Sequence, residues 1–154
     1  MIVYAVVARG TVVLAEFVAA GAPVDDTPRL VLSRISQEDQ KMSYTSKTMS
    51  HHYIVQDSIT FLCSTSTEEH TRFSAAFSFL EDIKNRCFNA YGTRLQSAIA
   101  FAINDSFQRD LKVQADFFNQ NPDADSVSRC KQEISQVTTC LLSSRLTKVS
   151  FGSG

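Results

Sequence analysis

Three histidines, His51, His52 and His70, and four cysteines, Cys63, Cys87, Cys130 and Cys140, are the side chains through which this sequence could bind a metal or attack a carbonyl. A zinc site asks for such ligands at short spacing, and neither a CxxC pair nor an HExxH helix occurs. His51 and His52 are adjacent in a stretch that reads as strand. Neighbours on a strand face opposite sides, so the two cannot chelate one ion. His70 falls in a polar first helical turn and is expected at the surface. The cysteines read as inert, reduced thiols, which points to the cytosol. Glu68 and Glu69 could in principle do acid–base work, but Ser66-Thr67-Glu68-Glu69 is a capping box, and the positive helix start accounts for both carboxylates. No Gly-rich phosphate loop, GxSxG elbow or EF-hand loop is present. The expectation is a protein that is not an enzyme and carries no metal and no cofactor.

Composition narrows the classes further. The chain has 154 residues, enough for one core, with 44% hydrophobic and 20% charged residues. A formal net charge of -1, scattered along the chain, gives no basic patch for nucleic acid. No apolar run approaches the roughly 18 residues of a membrane span, so no direct membrane insertion by this chain is expected. The first residues show no signal-peptide pattern.

The elements follow from periodicity. Ile2 to Ala8 and Thr11 to Ala19 are β-branched, apolar runs around Arg9-Gly10, a β-hairpin. Their near-continuous apolarity suggests cover on both faces and a place in the middle of a sheet. Asp25, Asp26 and Thr27 precede Pro28 as a helix start, and Val31, Leu32 and Ile35 form the stripe of a short helix. Ser36 to Lys41 reads as loop. Met42 to Thr45 alternates as an edge strand does, and His51 to Gln56 and Ile59 to Ser64 are strands joined at Asp57-Ser58. Phe73, Ala76, Phe77, Leu80, Ile83, Cys87 and Tyr91 step by three and four along a long helix that Gly92 ends. After a bridging segment, Asn104 or Asp105 caps a third helix with Phe107, Leu111, Ala115 and Phe118 inward, and Asn119 to Asp123 is a linker around Pro122.

Beyond the linker, Val127, Cys130, Ile134, Val137 and Leu141 follow the 3-4-3-4 spacing of a coiled-coil seam. The pattern covers barely two heptads and is polar at Ser144 and Lys148. A seam and a surface helix docked on the domain are both open at this point.

The stretches IVYAVVARGTVVLAE, KMSY, HYIVQD with ITFLC, AFSFLEDIK and AYGTR, in this order, resemble the longin domain of vesicle R-SNAREs of the tetanus-insensitive vesicle-associated membrane protein family. The resemblance runs from Ile2 to about Ser144. It implies an α+β longin (profilin-like) fold: a five-stranded antiparallel sheet flanked by three helices, one on one face and two on the other. The implied division is a longin domain over residues 1–121, then 122–154 as linker and incomplete SNARE segment with a short helical stretch. It also implies a trafficking role at the cytoplasmic face of endomembranes (vesicle, endosome, lysosome or vacuole, Golgi). Such domains fold back on their own SNARE helix and offer the same groove to a partner SNARE helix or a coat adaptor. Val31, Leu32 and Ile35 with Met42 and Tyr44 occupy the groove's positions here, and an edge strand beside a helix suits a peptide. Their alternative reading is simple core. Counting by sevens places Phe151 where the family has its central arginine. The sequence is then either the front of a longer chain or a longin protein without a working SNARE helix. A stand-alone longin-fold subunit of a coat or tethering complex, binding tether subunits, is the second class that stays open.

Overall fold

Five runs rich in β-branched and apolar residues form an antiparallel sheet in the computed structural model, which describes residues 1–22, 27–45, 49–66, 73–121 and 149–150. The strands are β1 (Ile2–Arg9), β2 (Val12–Val18), β3 (Gln40–Thr45), β4 (Met49–Gln56) and β5 (Ile59–Ser66). Helix α1 (Thr27–Arg34) separates the first two from the last three, and α2 (Phe73–Tyr91) and α3 (Asn104–Gln120) follow. A two-residue strand, β6 (Val149–Ser150), completes the spatial order β2-β1-β5-β4-β3-β6. This is the α+β architecture the resemblance implies. β3 and β4 start earlier than their apolar runs, and β5 runs on to Ser66, because ladder bonds are made by backbone and continue through Gln40↔Val55 and Met49↔Ser66.

The sheet carries a core on each face. On one, α2 and α3 lay Ala76, Phe77, Leu80, Ile83, Cys87, Phe107, Leu111 and Ala115 against Ala5, Val7, Leu14, Ile54, Phe61 and Cys63. On the other, α1 covers Val6, Ala8, Val13, Tyr53, Val55 and Leu62. Cover from both sides explains the unbroken apolarity of the first hairpin. The inference that it is central holds for β1 alone: β2 is the sheet's edge, with α3 packed over it. A bulge at Leu14, between the pairs Val7↔Ala15 and Ala8↔Val13, breaks the alternation and lets Leu14 and Ala15 both enter the α2/α3 core.

Two turns carry backbone that glycine would favour. Gly10, at φ 61, supplies the left-handed residue of the β1–β2 turn. Asp57 and Ser58, at φ 53 and 66, do the same between β4 and β5 without glycine. That turn is held from outside: the Asp57 amide donates to Asp39 Oδ1 at 3.0 Å, and its carbonyl accepts from Gln96 Nε2 at 2.7 Å.

Gly92, at φ 53, ends α2 as expected, and a 3-10 turn over Gly92–Gln96 buries Leu95. The third helix differs at its start. Its N-cap is Ile103, with no side-chain cap, and Asn104 is instead turned toward β2. At its far end Asn119 Oδ1 accepts from the Ile2 amide at 2.7 Å while Asn119 Nδ2 donates to the Ile2 carbonyl at 3.0 Å. Asp25, Asp26, the capping-box residues Thr67, Glu68 and Glu69, His70, Phe151 and the seam residues Val127, Cys130, Ile134, Val137 and Leu141 lie outside the described residues.

Candidate functional site

Helix α1 is short, and tertiary packing rather than propensity holds it. Pro28 sets its first turn, and Val31, Leu32 and Ile35 point down onto the sheet. β3 brings Met42 and Tyr44 to the same face, since residues two apart on a strand share a side. The Tyr44 ring stacks on Tyr53 of β4 at 5.9 Å between centroids. All five groove residues named from the sequence therefore meet in one cluster. They are also well covered: Val31 is 0% exposed, Leu32 3%, Ile35 7%, Met42 8% and Tyr44 2%. Burial pushes the Tyr44 phenol up, and that of Tyr53 as well, so both stay neutral hydroxyls. On α1, Leu30 is the large apolar residue left at the surface.

The polar edge of β3 is where the chain returns. β6 pairs antiparallel with it, Met42 opposite Ser150 and Ser43 opposite Val149. The sequence placed the returning segment at Val127 to Leu141. In the described residues it is a strand further along that meets β3, and a two-residue strand carries no alternation by which it could be found.

The reverse side of β3 is fastened by polar groups, of which sequence reasoning singled out His52 alone. Ser43 Oγ is 2.8 Å from His52 Nδ1, with both residues fully buried. Lys41 Nζ lies 3.0 Å from Glu81 Oε1 on α2, and Lys84 Nζ is 2.8 Å from Glu81 Oε2 and donates to Gln56 Oε1 at 2.8 Å. Burial alone would raise the Glu81 carboxyl, but the hydrogen bonds and charges of Lys84 and Lys41 outweigh it and hold it below the usual range. Glu81 and Lys84 are a readable i,i+3 helix pair. The third member, Lys41, needs the sheet register to be seen.

Of the candidate metal and nucleophile residues, His51, His52, Cys63 and Cys87 lie among the described residues, and all four are buried. His51 Nδ1 is 2.6 Å from Ser64 Oγ on the α1 face, while the His52 ring meets Phe77 edge-on at 5.5 Å on the α2 face. Burial, then the neighbouring His51, pushes His52 down to about 3, so it is a neutral ring in the interior. Cys63 and Cys87 are free and buried, and burial raises both thiols, Cys87 to about 12, which disfavours the reactive thiolate. Among the described residues no cluster of three or more His, Cys, Asp or Glu could hold a metal ion, and no helix is long and apolar enough to cross a membrane. On the α1 side the described residues form an apolar core under a short helix, bounded by β3, whose outer edge pairs with β6.

The model of the longin family, described as a regulated-SNARE-like domain, matches residues 14–111. The chain is 37% identical over 142 residues to vesicle-associated membrane protein 7B of Dictyostelium discoideum, covering 92% of this chain and 54% of that protein. It is 38% identical over 143 residues to vesicle-associated membrane protein 714 of Arabidopsis thaliana, covering 92% and 64%. With vesicle-associated membrane protein 7 of Homo sapiens the identity is 34% over 136 residues, covering 88% and 61%. The chain thus spans 54% to 64% of the length of these relatives.

Proposed function

This chain belongs to the longin family of regulated-SNARE-like domains, and from that premise we propose that it is the regulatory part of a vesicle R-SNARE in intracellular membrane trafficking. Its task on this reading is to hold its own following segment, or a competing partner helix or coat adaptor, against α1 and β3. Val31, Leu32, Ile35, Met42 and Tyr44 supply the apolar floor, and the β3 edge supplies backbone hydrogen bonds. The seam Val127, Cys130, Ile134, Val137 and Leu141 is the segment to be restrained. The role is one of binding and release at the cytoplasmic face of endomembranes, with no chemical step.

The observation that supports this reading is the antiparallel pairing of Val149–Ser150 with Met42 and Ser43. Strand addition takes its affinity from main-chain bonds, so it is disrupted by removing amides and not only by changing side chains. Val149→Pro with Ser150→Pro removes two amides, one of which an antiparallel ladder turns toward β3. Each intramolecular hydrogen bond is worth about 0.5–1.5 kcal/mol net. The double variant should therefore speed hydrogen exchange by up to about tenfold, one decade per 1.4 kcal/mol, at the one of Met42 and Ser43 whose amide faces β6. It should also bind a labelled peptide of residues 122–154 that the unaltered chain excludes, with its melting temperature nearly unchanged. Unaltered exchange at β3 together with no peptide binding would refute the proposal.

A further inference from the structure

The sheet has two ends, and they are treated in opposite ways. At the β3 end another strand is accepted. At the β2 end three of the groups that a next strand would use are taken by side chains and loop backbone. The Ala19 amide donates to the Val3 carbonyl at 2.9 Å. Counting back by twos along an antiparallel ladder, Phe17 and Ala15 turn their peptide groups toward β1, and Glu16 turns its own outward. The Glu16 amide donates to Asn104 Oδ1 at 3.1 Å, and the Glu16 carbonyl accepts from Gln108 Nε2 at 3.0 Å. This donor and acceptor pair is what the facing residue of a neighbouring strand would offer. Asn104 and Gln108 are four residues apart on α3 and so share one face of it. A further outward group, the Val13 carbonyl beside the bulge, accepts from the Phe101 amide at 2.7 Å. Phe101 makes that bond at φ 58, a backbone region costly for a non-glycine residue. Asn104 sits at a helix start, where asparagine ordinarily caps; here it caps nothing on the helix and serves the strand.

We propose that Phe101, Asn104 and Gln108 form a guard that closes the β2 edge to strand addition, so that the β3 edge is the receptive one. The arrangement is a side-chain and loop imitation of a neighbouring strand. An edge rich in valine and phenylalanine, such as VVLAEFV, is a template for another chain when left bare. The occupant it would take once unguarded is a second copy of itself. Two β2 strands related by a two-fold axis run antiparallel and offer each other identical groups.

The test uses the full chain. In Asn104→Ala with Gln108→Ala, the Glu16 amide should exchange at least tenfold faster than in the unaltered protein at low concentration. On concentrating, the variant should form a dimer by sedimentation in which the β2 amides regain protection, while the unaltered chain shows no concentration dependence at β2. Adding Val18→Lys, at an exposed position on that strand, places a charge on the edge and should abolish the dimer without slowing Glu16 exchange. A folded double variant that stays monomeric with an exchanging Glu16 amide would overturn the proposal, since the two side chains would then only tether α3. An unprotected Glu16 amide in the unaltered chain would overturn it as well, and that measurement stands even where the double variant does not fold.

Discussion

Phe77→Ala should lower the stability of this chain by about 3–5 kcal/mol, the usual cost of truncating a buried aromatic. Phe77 is 1% exposed, lies between α2 and the sheet, and sets its edge on the His52 ring. The loss combines the transfer of a benzyl group with a void that the flat strands beneath cannot close. A domain of this size is stabilised by roughly 5–15 kcal/mol, so the variant should lose between about a fifth and all of its margin. Phe77→Leu, which keeps most of the volume, should lose less than about 1.5 kcal/mol. Val113→Ala, at a position 50% exposed on α3, should stay within about 0.5 kcal/mol. Urea midpoints for the three variants check the order; equal shifts for Phe77→Ala and Val113→Ala would mean that α2 turns a different face to the sheet.

The second large effect is on acid stability. Above pH 6.5 the His52 ring is neutral whether the chain is folded or not, and contributes no pH dependence. Below it the unfolded chain takes up a proton that the folded ring refuses until about pH 3. Folding therefore loses about 1.4 kcal/mol per pH unit across that interval. Down to pH 4.5, where unfolded glutamates begin to protonate, the loss attributable to this one ring is about 3 kcal/mol. His52→Gln keeps an acceptor for Ser43 and removes the titration, so its stability should fall much less over the same window. Denaturant midpoints taken in steps between those pH values would show it, and parallel slopes for the two proteins would sink the idea. Below pH 4.5 a separate loss sets in as unfolded carboxylates gain protons that folded Glu81, held by Lys84 and Lys41, does not.

The sequence was most readable where one periodicity acts alone. The α3 stripe of Phe107, Leu111, Ala115 and Phe118 is buried as read, and so are Phe77, Leu80, Ile83 and Cys87 on α2. Phe79 lies off that stripe and is also fully buried, because α2 has a second neighbour: Phe79 meets Phe118 of α3 at 6.1 Å. One stripe predicts one contact surface, and nothing in the spacing announces another. β2 was misplaced for a related reason. Apolarity on both faces records cover by helices, which an edge strand under α3 has as fully as a central one. Asn104 looks like a cap by residue type, and only three-dimensional proximity to Glu16 shows the other use of its amide. Val31, Leu32, Ile35, Met42 and Tyr44 were named together through the resemblance to the longin domain, and they share one buried cluster. Which of their atoms a partner would touch is set by the cover over them, and sequence spacing holds no record of it.

The bond pair between Ile2 and Asn119 has a consequence in time. A ribosome delivers the chain from the amino end, yet β1 sits inside the sheet and needs β5 as its partner. Its first residue is then latched by the last turn of α3, 117 positions later. Contacts of such large sequence separation form slowly. The first strand can pair at once with β2, but its other edge waits for β5 and its first residue for α3. The residues that return to β3 come later still. The β3 edge is therefore synthesised about a hundred positions before the strand that pairs with it.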